Sequence, residues 1–151
     1  MAEICIIDSG KIVDGTDLMN GNTNLKIWKS PLTSLKNGTR MFYDCSEMTT
    51  FEAELSSLVD APDMFYGCYL WAESILMILN SIPDYTDDTE IHRLYLGMTG
   101  VGAGRFLSLL GLMNNGPSDN VEALNGTDFN YKGWVITGKW PSGAFGVGDS
   151  V

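Results

Sequence analysis

Apolar side chains recur every 23 residues through part of the first half of this chain. Leu25, Trp28, Leu32, Leu35, Met41, Phe42 and Cys45 fall on Met48, Phe51, Leu55, Leu58, Met64, Phe65 and Cys68. The pentapeptide MFYDC at 41–45 returns as MFYGC at 64–68, and polar positions match in kind, Thr33-Ser34 against Ser56-Ser57. A fixed period of this length predicts stacked units, each burying its apolar side against the next.

Outside that stretch the pattern changes. In AESILMILNSI the apolar residues at 75, 76, 78, 79 and 82 form a helical stripe, which Pro83 and the acidic DYTDDTE bring to an end. Ile91, Leu94 and Leu96 follow as L-x-x-L-x-L and predict a strand. A Gly-rich turn then leads to RFLSLLGLM, a second expected helix, and residues 121–126 predict a short third one. GWVITGKW reads as the last strand. At the start, EICIIDSGKIV predicts two short strands around an Asp-Ser-Gly turn, suited to covering an open edge. The expected division is a cap over 1–24, two repeats over 25–71, longer helix–strand turns over 72–140 and a Gly-rich tail over 141–151.

The spacing L-x-x-[WF]-x-x-x-L-x-x-L-x-x-x-x-x-M-F-x-x-C over residues 25–71 resembles the BspA-like leucine-rich repeat. That resemblance implies a right-handed solenoid with a short parallel strand per turn, used as a binding or adhesion surface. The resulting fold expectation is α/β: a short leucine-rich-repeat solenoid with one parallel sheet, an N-terminal β cap and helix-containing C-terminal turns.

Charge narrows the partners. Acids outnumber bases 19 to 9, a net charge of −10, which repels phosphate backbones and anionic lipid. Lys26, Lys29, Lys36 and Arg40 are the sole candidates for a local basic patch. No nucleic acid and no membrane insertion are expected, since no apolar run approaches a spanning length of about 20 residues. The opening MAEICIIDSGK lacks the basic and apolar regions of a signal peptide, which predicts synthesis in the cytoplasm without export. Three cysteines, Cys5, Cys45 and Cys68, are an odd number and predict buried thiols instead of a disulfide frame.

Candidate chemistry is sparse. In GMTGVGAGRF, Gly100 and Gly102 form G-x-G, but Arg105 stands where the third glycine of a dinucleotide motif belongs. His92 is the single histidine, so no multi-histidine metal motif exists, and it reads as an outward strand residue. Asp84, Asp87, Asp88 and Glu90 could hold calcium but lack the EF-hand order, and read as a solvated loop. Trp28 and Trp71 lie on or near repeated core positions, while Trp140 beside Pro141 is a candidate interface anchor. No catalytic turnover and no cofactor are expected.

Two functions suit this pattern. One is a non-enzymatic structural or interaction module, with a bacteriophage virion component as its leading form and other subunits, copies of itself included, as partners. The other is an adhesion domain of a bacterial cell-surface protein, binding a host protein or glycan. Strand alternation places the candidate partner strip on Ile27, Lys29, Thr50, Glu52, Arg93, Tyr95, Val135 and Thr137, with Trp140 at the end. Any solvated sheet face shows a similar mixture.

Overall fold

The structure is a computed structural model and describes residues 3–4, 9–98, 121–123 and 128–139. The 23-residue period appears first as pairing. Three two-residue strands, β1 (Glu3–Ile4), β2 (Ile27–Trp28) and β3 (Thr50–Phe51), line up in parallel in that order. Ile27 sits opposite Thr50, and Trp28 opposite Phe51. Trp28 and Phe51 point into the core and are fully buried, while Ile27 and Thr50 are half-buried. A second row runs through the bridges Asp14–Asn37–Asp60, also parallel. Between the rows the turns bond to one another as well: Met19 N–H donates to Met41 O at 2.8 Å and Phe42 N–H to Met64 O at 2.9 Å. Asp14-Gly15-Thr16 therefore stands beside Asn37-Gly38-Thr39, so the recurrence reaches into residues assigned above to the cap.

Each turn includes a left-handed residue in the same place: Asp17, Arg40 and Asp63, at φ 58°, 48° and 57°. Aspartate tolerates this region, but arginine seldom enters it. Arg40 is held by its neighbour in the row, with Nε and Nη2 donating to the two Asp17 carboxylate oxygens at 2.9 and 3.1 Å. Inside, Phe42 stacks on Phe65 at 5.5 Å between centroids and meets Trp28 edge-on at 5.1 Å.

The edge of β3 is closed by α1 (Ala72–Ser81). Of its expected apolar stripe, Ile75, Ile78, Leu79 and Ile82 are buried, while Leu76 is half-buried. Two serines on the helix bond to backbone N–H groups, one on the edge of β3 and one beyond its end. Ser74 Oγ accepts from Phe51 N–H at 2.9 Å, and Ser81 Oγ from Leu55 N–H at 3.0 Å. The helix C-terminus is capped from a distance: Lys132 Nζ donates to the carbonyls of Leu79, Asn80 and Ile82 at 3.0–3.2 Å.

The remaining strands form a second sheet, in the order β4 (His92–Met98), β7 (Trp134–Lys139), β6 (Asp128–Tyr131), β5 (Val121–Ala123). β4 and β7 are parallel, whereas β7, β6 and β5 run antiparallel. Lys132 and Gly133, both left-handed, make the two-residue β6–β7 hairpin. This sheet adjoins the Asp14–Asn37–Asp60 row and not β3, through Ala61 N–H to Arg93 O at 2.8 Å and Phe65 N–H to Tyr95 O at 3.1 Å.

The expected leucine-rich-repeat solenoid is thereby overturned. The molecule is a small α/β domain with two small sheets and, among the described residues, one α-helix. Continuation fails because α1 covers the edge that the next strand needed. Residues 121–123 are β5, not the start of a helix, since they pair with β6 as a hairpin ribbon. Ser9–Lys11 form a 3-10 turn that overlaps the expected Asp-Ser-Gly turn, and the strand expected after it is replaced by the isolated bridge at Asp14. The helix expected in RFLSLLGLM, the tail at 141–151, Trp140 and Cys5 lie outside the described residues.

His92 is also corrected: it points inward and is 2% exposed. Inward residues of β4 are His92, Leu94 and Leu96, and Ile91, counted inward from its spacing, is 71% exposed ahead of the strand. The imidazole is tolerated inside because both nitrogens are partnered, Nδ1 with Val59 O at 2.6 Å and Nε2 with Asp88 Oδ2 at 3.0 Å. Its ring stacks on Tyr85 at 3.8 Å.

Candidate interaction groove

The period places Trp71 where Met48 stands one unit earlier, and Met48 is fully buried. Trp71 is 61% exposed instead, and Leu70 takes the inward position. The phase slips by one residue here because the chain is leaving the repeat for a helix. Tyr69 and Trp71 donate their N–H groups to Met48 O and Thr49 O at 3.2 and 2.9 Å, which pins the backbone along β3. Trp71 then serves as the helix N-cap in extended conformation (φ −72°, ψ 160°), with no side-chain capping bond. Its ring is left outside.

Between β3 and the start of α1 lies an open groove of about 650 Å³, with Thr50, Phe51 and Glu52 on one wall and Trp71, Glu73 and Met77 on the other. A smaller one of about 350 Å³ adjoins it at Met77, bordered by Glu54, Leu76 and Asn80. Glu52 pairs with Lys29 at 3.7 Å, both side chains about half-exposed, a contact that contributes little in water.

The predicted partner strip divides between two faces. Ile27, Lys29, Thr50 and Glu52 gather beside or within this groove. Arg93, Tyr95, Val135 and Thr137 lie on the second sheet, Arg93 opposite Val135 and Tyr95 opposite Thr137. There Arg93 Nη2 donates to Asp60 Oδ2 at 2.7 Å, and Tyr95 extends a row with Tyr66 and Tyr43 at 5.2 and 4.8 Å between centroids. Tyr43 and Tyr66 are stacked, and Tyr95 meets Tyr66 at a tilt of 48°. Beside them the Arg40 guanidinium holds the Asp17 carboxyl down at about 2. The strip divides because alternation orders residues only within a sheet, and these residues belong to two sheets. The sequence puts Trp71 on or near a core position and does not single out Glu73 or Met77. Only the doublet of exposed aromatics around Leu70 in YLW signals them.

No protein-family model, curated protein or solved structure matches the chain. The groove has to be interpreted from its own chemistry.

The acidic loop is absorbed locally. Asp84 accepts from Thr86, and Asp88 accepts from Glu90 N–H and faces His92, which lowers both carboxyls. Among the described residues no group of three or more such side chains is placed to hold a metal ion, and no helix is long and apolar enough to cross a membrane.

The thiols are equivalent and internal. Cys45 and Cys68 are free and fully buried, and their Sγ–H groups donate to Met19 O and Phe42 O at 3.2 Å each. Burial pushes the Cys45 thiol up to about 11 and Cys68 higher still. In a Cys5→Ser variant, neither should react with a disulfide reagent at pH 8 until denaturant is added. Because the folded value lies above the ordinary one near 9.0, this contribution to stability is complete below pH 9 and fades as pH rises through about 11. Melting curves across that range test the sign; rapid labelling of both thiols in the native state would contradict the burial.

Proposed function

We propose that the protein is a non-enzymatic interaction module that holds a segment of another protein in the β3–α1 groove. The exposed Trp71 carries this reading. A tryptophan left 61% exposed by a backbone fixed on both sides is a ready anchor, because a partner that covers it gains apolar burial with little ordering cost. The groove around it gives such a segment two walls. A structural place in a larger assembly, such as a bacteriophage virion, is one setting for a module of this kind. The reading shares only a binding role with what the BspA-like resemblance of residues 25–71 implies, and does not depend on it.

The test compares tagged chains in the cells the protein comes from. The parent and a Val13→Ala variant, altered at an exposed residue outside the groove, should retain the same protein species, and Trp71→Ala should lose it while melting at the parent's temperature. Equal retention by Trp71→Ala would remove the groove from consideration.

A further inference from the structure

We infer that the groove selects a segment carrying a basic side chain, lysine or arginine, next to an apolar one. The inference rests on the interaction reading above and adds the chemistry of the partner. Charge complementarity carries it. Glu52 and Glu73 stand on opposite walls with the Trp71 ring beside them, and Glu54 borders the adjoining cavity. Among the described residues lining the two cavities none is basic; Lys29 reaches the rim only as the partner of Glu52.

Each part of a basic side chain has a counterpart here. An ammonium or guanidinium can lie over an exposed indole face, the best of the aromatic acceptors, with carboxylates on either side. The aliphatic stem and the neighbouring apolar residue meet Met77 and Leu76, which are half-buried and adaptable. The net charge of −10 adds a general field that favours approach of cations. Other occupants fit poorly. A wholly apolar segment would take Glu73 out of water with no countercharge from the groove lining, and Glu52 with only its half-exposed Lys29 contact. A second copy of this chain brings 19 acids against 9 bases to a face that is already acidic.

The test uses the full chain and three labelled hexapeptides with blocked ends, alternating Lys-Leu, Ser-Leu and Glu-Leu, followed by fluorescence anisotropy. Lys-Leu should bind, the other two far more weakly. Trp71→Ala should weaken it by about tenfold or more. The double change Glu52→Gln with Glu73→Gln should weaken it by about tenfold and flatten its dependence on salt. Glu47→Gln, an exposed acid outside the groove, should leave it unchanged. Melting curves establish that each variant is folded. If Ser-Leu binds as tightly, in a Trp71-dependent way, the cation is irrelevant and only the interaction reading survives. If Lys-Leu binding ignores Trp71→Ala or falls equally with Glu47→Gln, the attraction is diffuse and the inference is wrong. If no peptide binds at millimolar concentration, both readings fall.

Discussion

Phe42→Ala should lower the stability of the protein by about 3–5 kcal/mol, the usual cost of emptying a buried phenylalanine site. Phe42 is fully buried and touches three other rings: Phe65 face to face at 5.5 Å, Trp28 at 5.1 Å and Phe51 at 5.6 Å, both edge-on. Phe51 and Phe65 also meet each other at 5.1 Å, so the ring being removed is the hub of the cluster. Its neighbours cannot collapse into the space. Phe65 and Met41 sit on turns whose backbones are bonded from one unit to the next, which restricts relaxation. A domain of this size has about 5–15 kcal/mol in total, so about a fifth or more would be lost. Urea unfolding followed by circular dichroism measures the difference. Val13→Ala, at a residue 51% exposed, is the control and should change stability by less than about 0.5 kcal/mol. An unchanged midpoint for Phe42→Ala would mean that the ring cluster is wrongly placed.

Gly97→Ala should cost about 3 kcal/mol or more, from a left-handed backbone and a close approach combined. β4 and β7 keep register to Tyr95–Thr137 and resume at Met98–Lys139, so β4 carries one extra residue, a bulge. Gly97 takes the strain at φ 79°. An added methyl would stand 2.8 Å from Cys68 O and closer still to Phe65 O. Both are backbone atoms of the turn on which β4 rests, and that turn cannot retreat without pulling Phe65 and Cys68 out of the core. Gly21 separates the two contributions. It has φ 78° but nothing within 4 Å of an added methyl, so Gly21→Ala should show the conformational cost alone, about 1–2 kcal/mol. Equal losses in the two variants would show that the close approach does not exist.

The residues that were legible in advance are those whose environment is local. The stripe in AESILMILNSI is helical in any context that offers an apolar surface, and α1 forms there. The matched apolar frames of 25–47 and 48–70 prescribe equal burial at equal positions, which is what Trp28 and Phe51, or Cys45 and Cys68, display. The candidate groove was half legible. Thr50 and Glu52 follow from strand alternation. The period places Trp71 inside, and the slip by one residue that turns it outward depends on where the helix starts.

The sequence by itself determined the period, the helix, the strand at 92–98 and the acidic surface, because each depends on neighbours at short spacing or on a simple count. Only the tertiary structure decided which edges meet. The second sheet could have extended β3 or the Asp14–Asn37–Asp60 row, since both offer unpaired backbone and the apolar pattern of β4 suits either. Ser74 and Ser81 closed the first of these edges with side-chain oxygens, so β4 paired along the second. A serine hydroxyl that closes a strand edge leaves no periodic trace in a sequence, and for that reason the period predicts a solenoid where the chain forms a two-sheet domain.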